Sequence, residues 1–139
     1  MKTLPLFRLL ALLLLLPLVS SCIDDEYIDP DDDGDSRDVL VGTWNCVESE
    51  AKIAFTVKIS KDPGDADQLL MENFAYIGMG EFATAVLSGV NLDVPEQVPC
   101  EGYLVKGSGT MVNHDQLTFS YSVTAGGDKT DYNATFTRR

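Results

Sequence analysis

Few residues of this chain have types and spacings able to do chemistry. The single histidine, His114, stands between Asn113 and Asp115, a setting that predicts a hairpin tip. A Ser/His/Asp or Cys/His machine needs neighbours that hold the imidazole in place, and a tip supplies none. The densest carboxylates lie in Asp29-Pro30-Asp31-Asp32-Asp33-Gly34-Asp35, where Asp29, Asp31 and Asp33 alternate ahead of a glycine. Oxygen ligands so spaced can converge on one hard cation, with the glycine allowing a sharp turn. Counted from Asp29, however, the ninth and twelfth positions are Arg37 and Leu40, so nothing closes the cage. The run reads as a solvated acid stretch that collects divalent ions weakly, and no metal site is expected. Zinc spacings, phosphate-cradling glycine loops and nucleophile elbows are missing. The other acids cluster in turns, where solvation accounts for them. Neither an enzyme activity nor a cofactor is expected.

The three cysteines carry more information. Lys2 and Arg8 precede an apolar run from Leu9 to Val19, which gives way to Ser20, Ser21 and Cys22. A positive start, an apolar centre and a small-residue exit are the parts of a secretory signal peptide over residues 1–21. The run is short of the roughly 20 apolar residues that cross a bilayer. Val19-Ser20-Ser21-Cys22 resembles the bacterial lipobox, which implies that Cys22 becomes the N-terminus and carries diacylglycerol on its thiol. Two or more acyl chains give stable anchoring. Ordinary secretion with Cys22 in a disulfide is the competing reading. With Cys22 lipidated, Cys46 and Cys100 are left as an even pair in an oxidising compartment, a candidate disulfide. Their alternative is two buried, unpaired thiols.

Residues 22–38 hold nine acids against one base, a local net charge of −8, whereas 39–139 carry thirteen acids against seven bases. A segment so poor in apolar surface and so rich in like charge predicts a disordered, extended tether. Its first acids, Asp24, Asp25 and Glu26, resemble the lipoprotein export signal of Bacteroidetes, which implies the outer face of the outer membrane. The periplasmic face is the alternative. Neither part of the chain has the basic stripe of a nucleic-acid binder.

These features hang on a body, residues 39–139, whose pattern alternates with period two. Ile53, Phe55, Val57 and Ile59 alternate with polar or small residues, as do Leu117, Phe119, Tyr121 and Val123. Further strands are predicted near 42–50, 69–76, 82–88, 91–95, 102–112 and 131–137, with turn residues between them. Residues 77–85 read as loop and then strand. About eight short strands without intervening helices predict an all-β antiparallel meander, closed as a small barrel or folded as a sandwich.

Gly42-Thr43-Trp44 on the first strand resembles the Gly-x-Trp signature of lipocalins and the wider calycin group, and Arg138-Arg139 follow the last strand. The resemblance implies a lipocalin-like barrel with one end closed by Gly42, Trp44 and a cation–π contact from Arg138 or Arg139. With Asn73-Phe74, Pro95-Glu96-Gln97 and Gly107-Ser108-Gly109-Thr110, the body is similar to small lipocalin-like lipoproteins of Bacteroidetes. Two functional expectations follow. One is a non-catalytic binding module for an apolar ligand, a glycan or a partner protein. The other is a structural or accessory lipoprotein whose short-stranded barrel is filled by its own side chains. An internal cavity of about 300 Å³ lined by residues such as Phe55, Val57, Phe119 and Tyr121 would favour a small ligand.

Overall fold

A computed structural model describes residues 34–139. Eight strands form one closed antiparallel barrel in meander order, each pairing with its sequence neighbours and the last with the first. They are β1 (Gly42–Glu48), β2 (Ala54–Lys61), β3 (Gln68–Glu72), β4 (Phe82–Ser88), β5 (Asn91–Cys100), β6 (Tyr103–Asn113), β7 (Gln116–Ala125) and β8 (Asp128–Arg138). Closure removes the unpaired edges that a sandwich would keep. Among the described residues no helix is long and apolar enough to cross a membrane.

Period-two patterning turns one face of every strand inward. Trp44, Cys46 and Glu48 of β1, Phe55, Val57 and Ile59 of β2, and Leu117, Phe119 and Tyr121 of β7 are buried. Rings meet across the interior, Phe119 lying 4.8 Å from Phe136 and 5.7 Å from Phe74, and Phe74 lying 5.0 Å from Tyr121, centroid to centroid. Two glycines of β6 make room for these rings. A Cβ on Gly109 would sit 2.5 Å from the Phe119 ring, and one on Gly107 would sit 2.6 Å from Tyr121 Cβ. Buried side chains from all eight strands and from Phe74 pack together across the interior.

Besides β8, which starts at Asp128 rather than near residue 131, three departures from the predicted bounds bear on the site. The third strand stops at Glu72 instead of running to residue 76, because Asn73 turns left-handed (φ 61°) and starts a short 3₁₀ turn. That turn drops Phe74 into the barrel as a plug, fully buried. The fifth strand runs on to Cys100 through Pro95 and Pro99, with register shifts against β6. Proline cannot donate to a ladder, and β4 pairs with β5 only over Val86–Ser88. Nearer the other end, the Gln97 side chain closes the seam. Its Oε1 accepts from Thr84 N at 2.8 Å and its Nε2 donates to Thr84 O at 2.8 Å, in place of backbone pairing.

The third departure is at the start of the fold. Gly34 to Asp38, read from sequence as the end of the tether, belong to the folded unit Gly34–Arg139. Arg37 is almost fully buried. Its Nη1 donates to the carbonyls of Asp62, Asp65 and Gln68 at 3.2, 2.7 and 3.0 Å, and Nε and Nη2 donate to the Asp35 carboxylate. Lys61 pairs with Asp35 at 3.1 Å and also with Asp38. One arginine thus straps the entering chain onto the β2–β3 loop, an order that net charge alone does not reveal.

Candidate binding site at the barrel mouth

The two barrel ends are built differently. At the first, where β1 begins and β8 finishes, Trp44 is fully buried and its Nε1 donates to Leu40 O at 2.9 Å. Trp44 pairs in register with Arg138, whose guanidinium carbon lies 4.3 Å from the indole centroid. Arg138 also donates to the carbonyls of Val39, of Val41 at 3.2 Å and of His114 at 3.0 and 2.8 Å, and it pairs with Asp115 at 3.3 Å. Gly42 has φ 140° and a Cβ there would come 3.2 Å from Arg138 Nη1, so a side chain would be strained and would crowd the guanidinium. Arg139 contributes its backbone N–H, which donates to Thr43 O at 3.0 Å. Gly42, Trp44 and Arg138 therefore form a closed end, and His114 takes part through its carbonyl rather than its ring.

The cysteine pairing expected from sequence is corrected. Cys46 and Cys100 are both free. Cys46 points into the barrel from the middle of β1, opposite Phe55 and Phe136. Cys100 ends β5, halfway around the ring from β1, and its Sγ faces Ile77 O at 3.9 Å. Burial pushes the Cys46 thiol well above the ordinary range, with the Glu48 charge adding to the shift. Burial also raises the Cys100 thiol, with Glu81 contributing. Neither environment favours the thiolate that oxidation needs.

Cys22, the acids Asp24, Asp25 and Glu26, and Asp29, Asp31 and Asp33 lie outside the described residues. Among the described residues no group of three His, Cys, Asp or Glu side chains could hold a metal ion.

At the second end the barrel stays open. Here β1 stops at Glu48, β6 starts at Tyr103 and β7 turns into β8, leaving a mouth of about 300 Å³. Glu48, Ile53, Tyr76, Tyr103, Val123, Asp128 and Tyr132 are among its lining residues. Its floor is polar. Glu48 is only 4% exposed, and its Oε1 accepts from the Tyr121 hydroxyl. Burial drives the Tyr121 phenol far above its ordinary range, and the bond to Glu48 adds to this, so the phenol keeps its proton and donates it. Tyr132 stacks on Tyr121 with centroids 5.5 Å apart.

One wall of the mouth is the β3–β4 loop. Asn73, Ala75 and Tyr76 have φ of 61°, 55° and 59°, a conformation that non-glycine residues rarely hold. Asn73 secures it, with Nδ2 donating to Thr56 O and Oδ1 accepting from Gly78 N, both at 2.9 Å. Tyr76 emerges 63% exposed, its ring 5.4 Å from Phe55. Part-buried hydrogen bonds thus hold a strained backbone at the mouth.

A larger depression, about 380 Å³, lies on the outer wall over β5–β8 among Lys106, Ser108, Ser120, Ser122, Asp131 and Asn133. Two of its polar groups meet there, Ser120 Oγ donating to Asn133 Oδ1 at 2.8 Å. Tyr121, Tyr132, Asp93 and Asp131 also line this depression, but its acids are exposed, whereas Glu48 of the mouth is buried, so the mouth is the better candidate of the two. Sequence reasoning overlooked Glu48, Tyr76, Tyr103 and Tyr132 as site residues. An acid in phase with the inward-facing Trp44 and Cys46 was the available signal.

No protein-family model matches the chain, and none of the curated proteins is similar to it in sequence.

Proposed function

We propose that this chain is a lipid-anchored lipoprotein, carrying acyl chains on Cys22, whose barrel is a non-catalytic binding module that works through its open mouth. The observation carrying this reading is the polarity of the barrel. The chain enters the folded body at the closed end, where Arg37 is strapped to the β2–β3 loop, while the recessed, aromatic and acidic surface is at the opposite end. A spacer of about a dozen residues after Cys22 reaches ~40 Å at most when extended. The tether therefore joins the body at the end away from the mouth.

The filled interior argues against an apolar cargo carried inside the barrel, because Phe74, Phe119, Phe136 and Tyr121 occupy that volume. It also keeps a second reading in view, an accessory lipoprotein with no small ligand. The acids Asp24, Asp25 and Glu26 support display on the cell surface, the periplasmic face being the alternative. Mass spectrometry of the mature N-terminus is expected to find diacylglycerol on Cys22, and a free Cys22 would reject the anchor. Protease treatment of intact cells is expected to remove the barrel, and protection would place it in the periplasm. For the mouth, nuclear magnetic resonance titration with a diverse set of small fragments is expected to move signals of Tyr76, Tyr103 and Tyr132 together. Shifts scattered over the outer wall, or none, would favour the accessory reading.

A further inference from the structure

We infer that the mouth takes a small organic cation, an amine whose ammonium group is met by Glu48 and whose carbon skeleton lies against Tyr76, Tyr103 and Tyr132. This rests on the mouth being the binding face and adds the chemical class of ligand. Glu48 Oε1 is engaged by Tyr121, whereas no described residue donates to Oε2. No buried side-chain oxygen among the described residues lacks a partner, so Oε2 is the edge of Glu48 that opens to the mouth it lines. Glu48 is nearly buried as a residue, and the oxygen that Tyr121 leaves over is reached through the mouth, where it can accept from a donor that enters. An ammonium group supplies both the hydrogen and the compensating charge. A neutral hydroxyl would supply the hydrogen without the charge.

The walls agree with that choice. Three tyrosine rings surround the opening, and aromatic faces attract cations most strongly where water is excluded. Asp128 adds a second acid at the rim, and neither lysine nor arginine lines the mouth to compete as an internal counter-ion. The net charge of the chain, −12, draws cations toward it and repels anions. A volume of about 300 Å³ suits a compact amine rather than a polymer.

The test uses the whole mature chain with Cys22→Ser, which leaves out only the lipid, and two probes of equal shape, phenethylamine and 2-phenylethanol. The amine is expected to shift the Tyr76, Tyr103 and Tyr132 signals and to bind at least tenfold tighter than the alcohol. Glu48→Gln keeps the acceptor for Tyr121 and is expected to erase that preference, while Tyr76→Ala, at an exposed position, is expected to weaken amine binding severalfold. Equal binding of both probes at the mouth would overturn the cation proposal and leave the mouth standing as a binding face. A preference that survives Glu48→Gln would assign it to overall charge and also overturn the proposal. Absence of binding by either probe overturns it as well, and the fragment titration then decides the mouth by itself. If Glu48→Gln does not fold, the probe pair and Tyr76→Ala still decide.

Discussion

Removing the Arg138 guanidinium strips the closed end of its stacking partner on Trp44 and of the donor to the carbonyls of Val39, Val41 and His114. Arg138→Ala is expected to cost about 2–3 kcal/mol, the sum of a cation–π contact and charged hydrogen bonds. Lysine, a compact point charge without the planar fork, should recover only part of it. A melting temperature within a degree or two of the parent would contradict the assignment. The cysteines make a separate residue-scale prediction. Intact-mass analysis after alkylation in denaturant should find Cys46 and Cys100 both alkylated, whereas in the folded protein buried Cys46 should stay unmodified. This residue-level detail was partly legible. Gly42, Trp44 and Arg138 stood out by type and position, but Glu48 did not, because an acid at the end of a strand looks solvated until the ring of strands turns it inward.

Among the elements, the strands were legible because inward and outward positions alternate, and a closed meander needs no long-range topology to be guessed. The β3–β4 loop was not legible. Asn73-Phe74-Ala75-Tyr76 continues an apolar pattern, yet three left-handed residues convert it into a plug. Ala75→Gly should therefore run against the usual loss of about 0.5–1 kcal/mol for such a change. It is expected to be neutral or to raise stability by up to ~1 kcal/mol, as left-handed strain is relieved. A loss above that size in chemical denaturation would remove the strain argument. The opposite sign is expected on β6. Gly109→Ala drives a methyl group into the Phe119 ring and should cost about 1–3 kcal/mol by overpacking. The seam bridged by Gln97 was likewise hidden, since a side chain standing in for a ladder has no periodic signature. Its proline neighbours only hinted that β5 could not pair in full.

For the whole molecule, the strap at Arg37 sets how the body responds to acid. The Arg37 guanidinium beside Asp35 holds that carboxyl far below the usual carboxylate range, helped by the Asp35 bond to the Arg37 backbone and by Lys61. A carboxyl whose pKa is depressed by folding contributes stability at every pH above its unfolded value, near 3.8, and loses it only as pH falls toward the folded value. The difference in melting temperature between the parent and Asp35→Asn should thus be flat from about pH 8 to pH 5 and shrink only below about pH 4. A difference already gone at pH 6 would mean that the strap does not depend on this charge. The boundary at residue 38 was misplaced for the same reason. Composition registers the density of acids, not the one arginine that three carbonyls wait to receive.

The closed end brings Val39 against Arg138, and Thr43 against Arg139. A linker from Arg139 back to Gly34, which keeps the Arg37 strap, would join the body into a loop, and the Gly126-Gly127 turn at the opposite rim offers a place to reopen it. Because chain ends that lie close together tolerate such rewiring, a circular permutant starting at Gly127 should fold to the same barrel. In that permutant an affinity tag or dye would sit beside the mouth, giving a reporter at the proposed binding face that the native connectivity places at the far end.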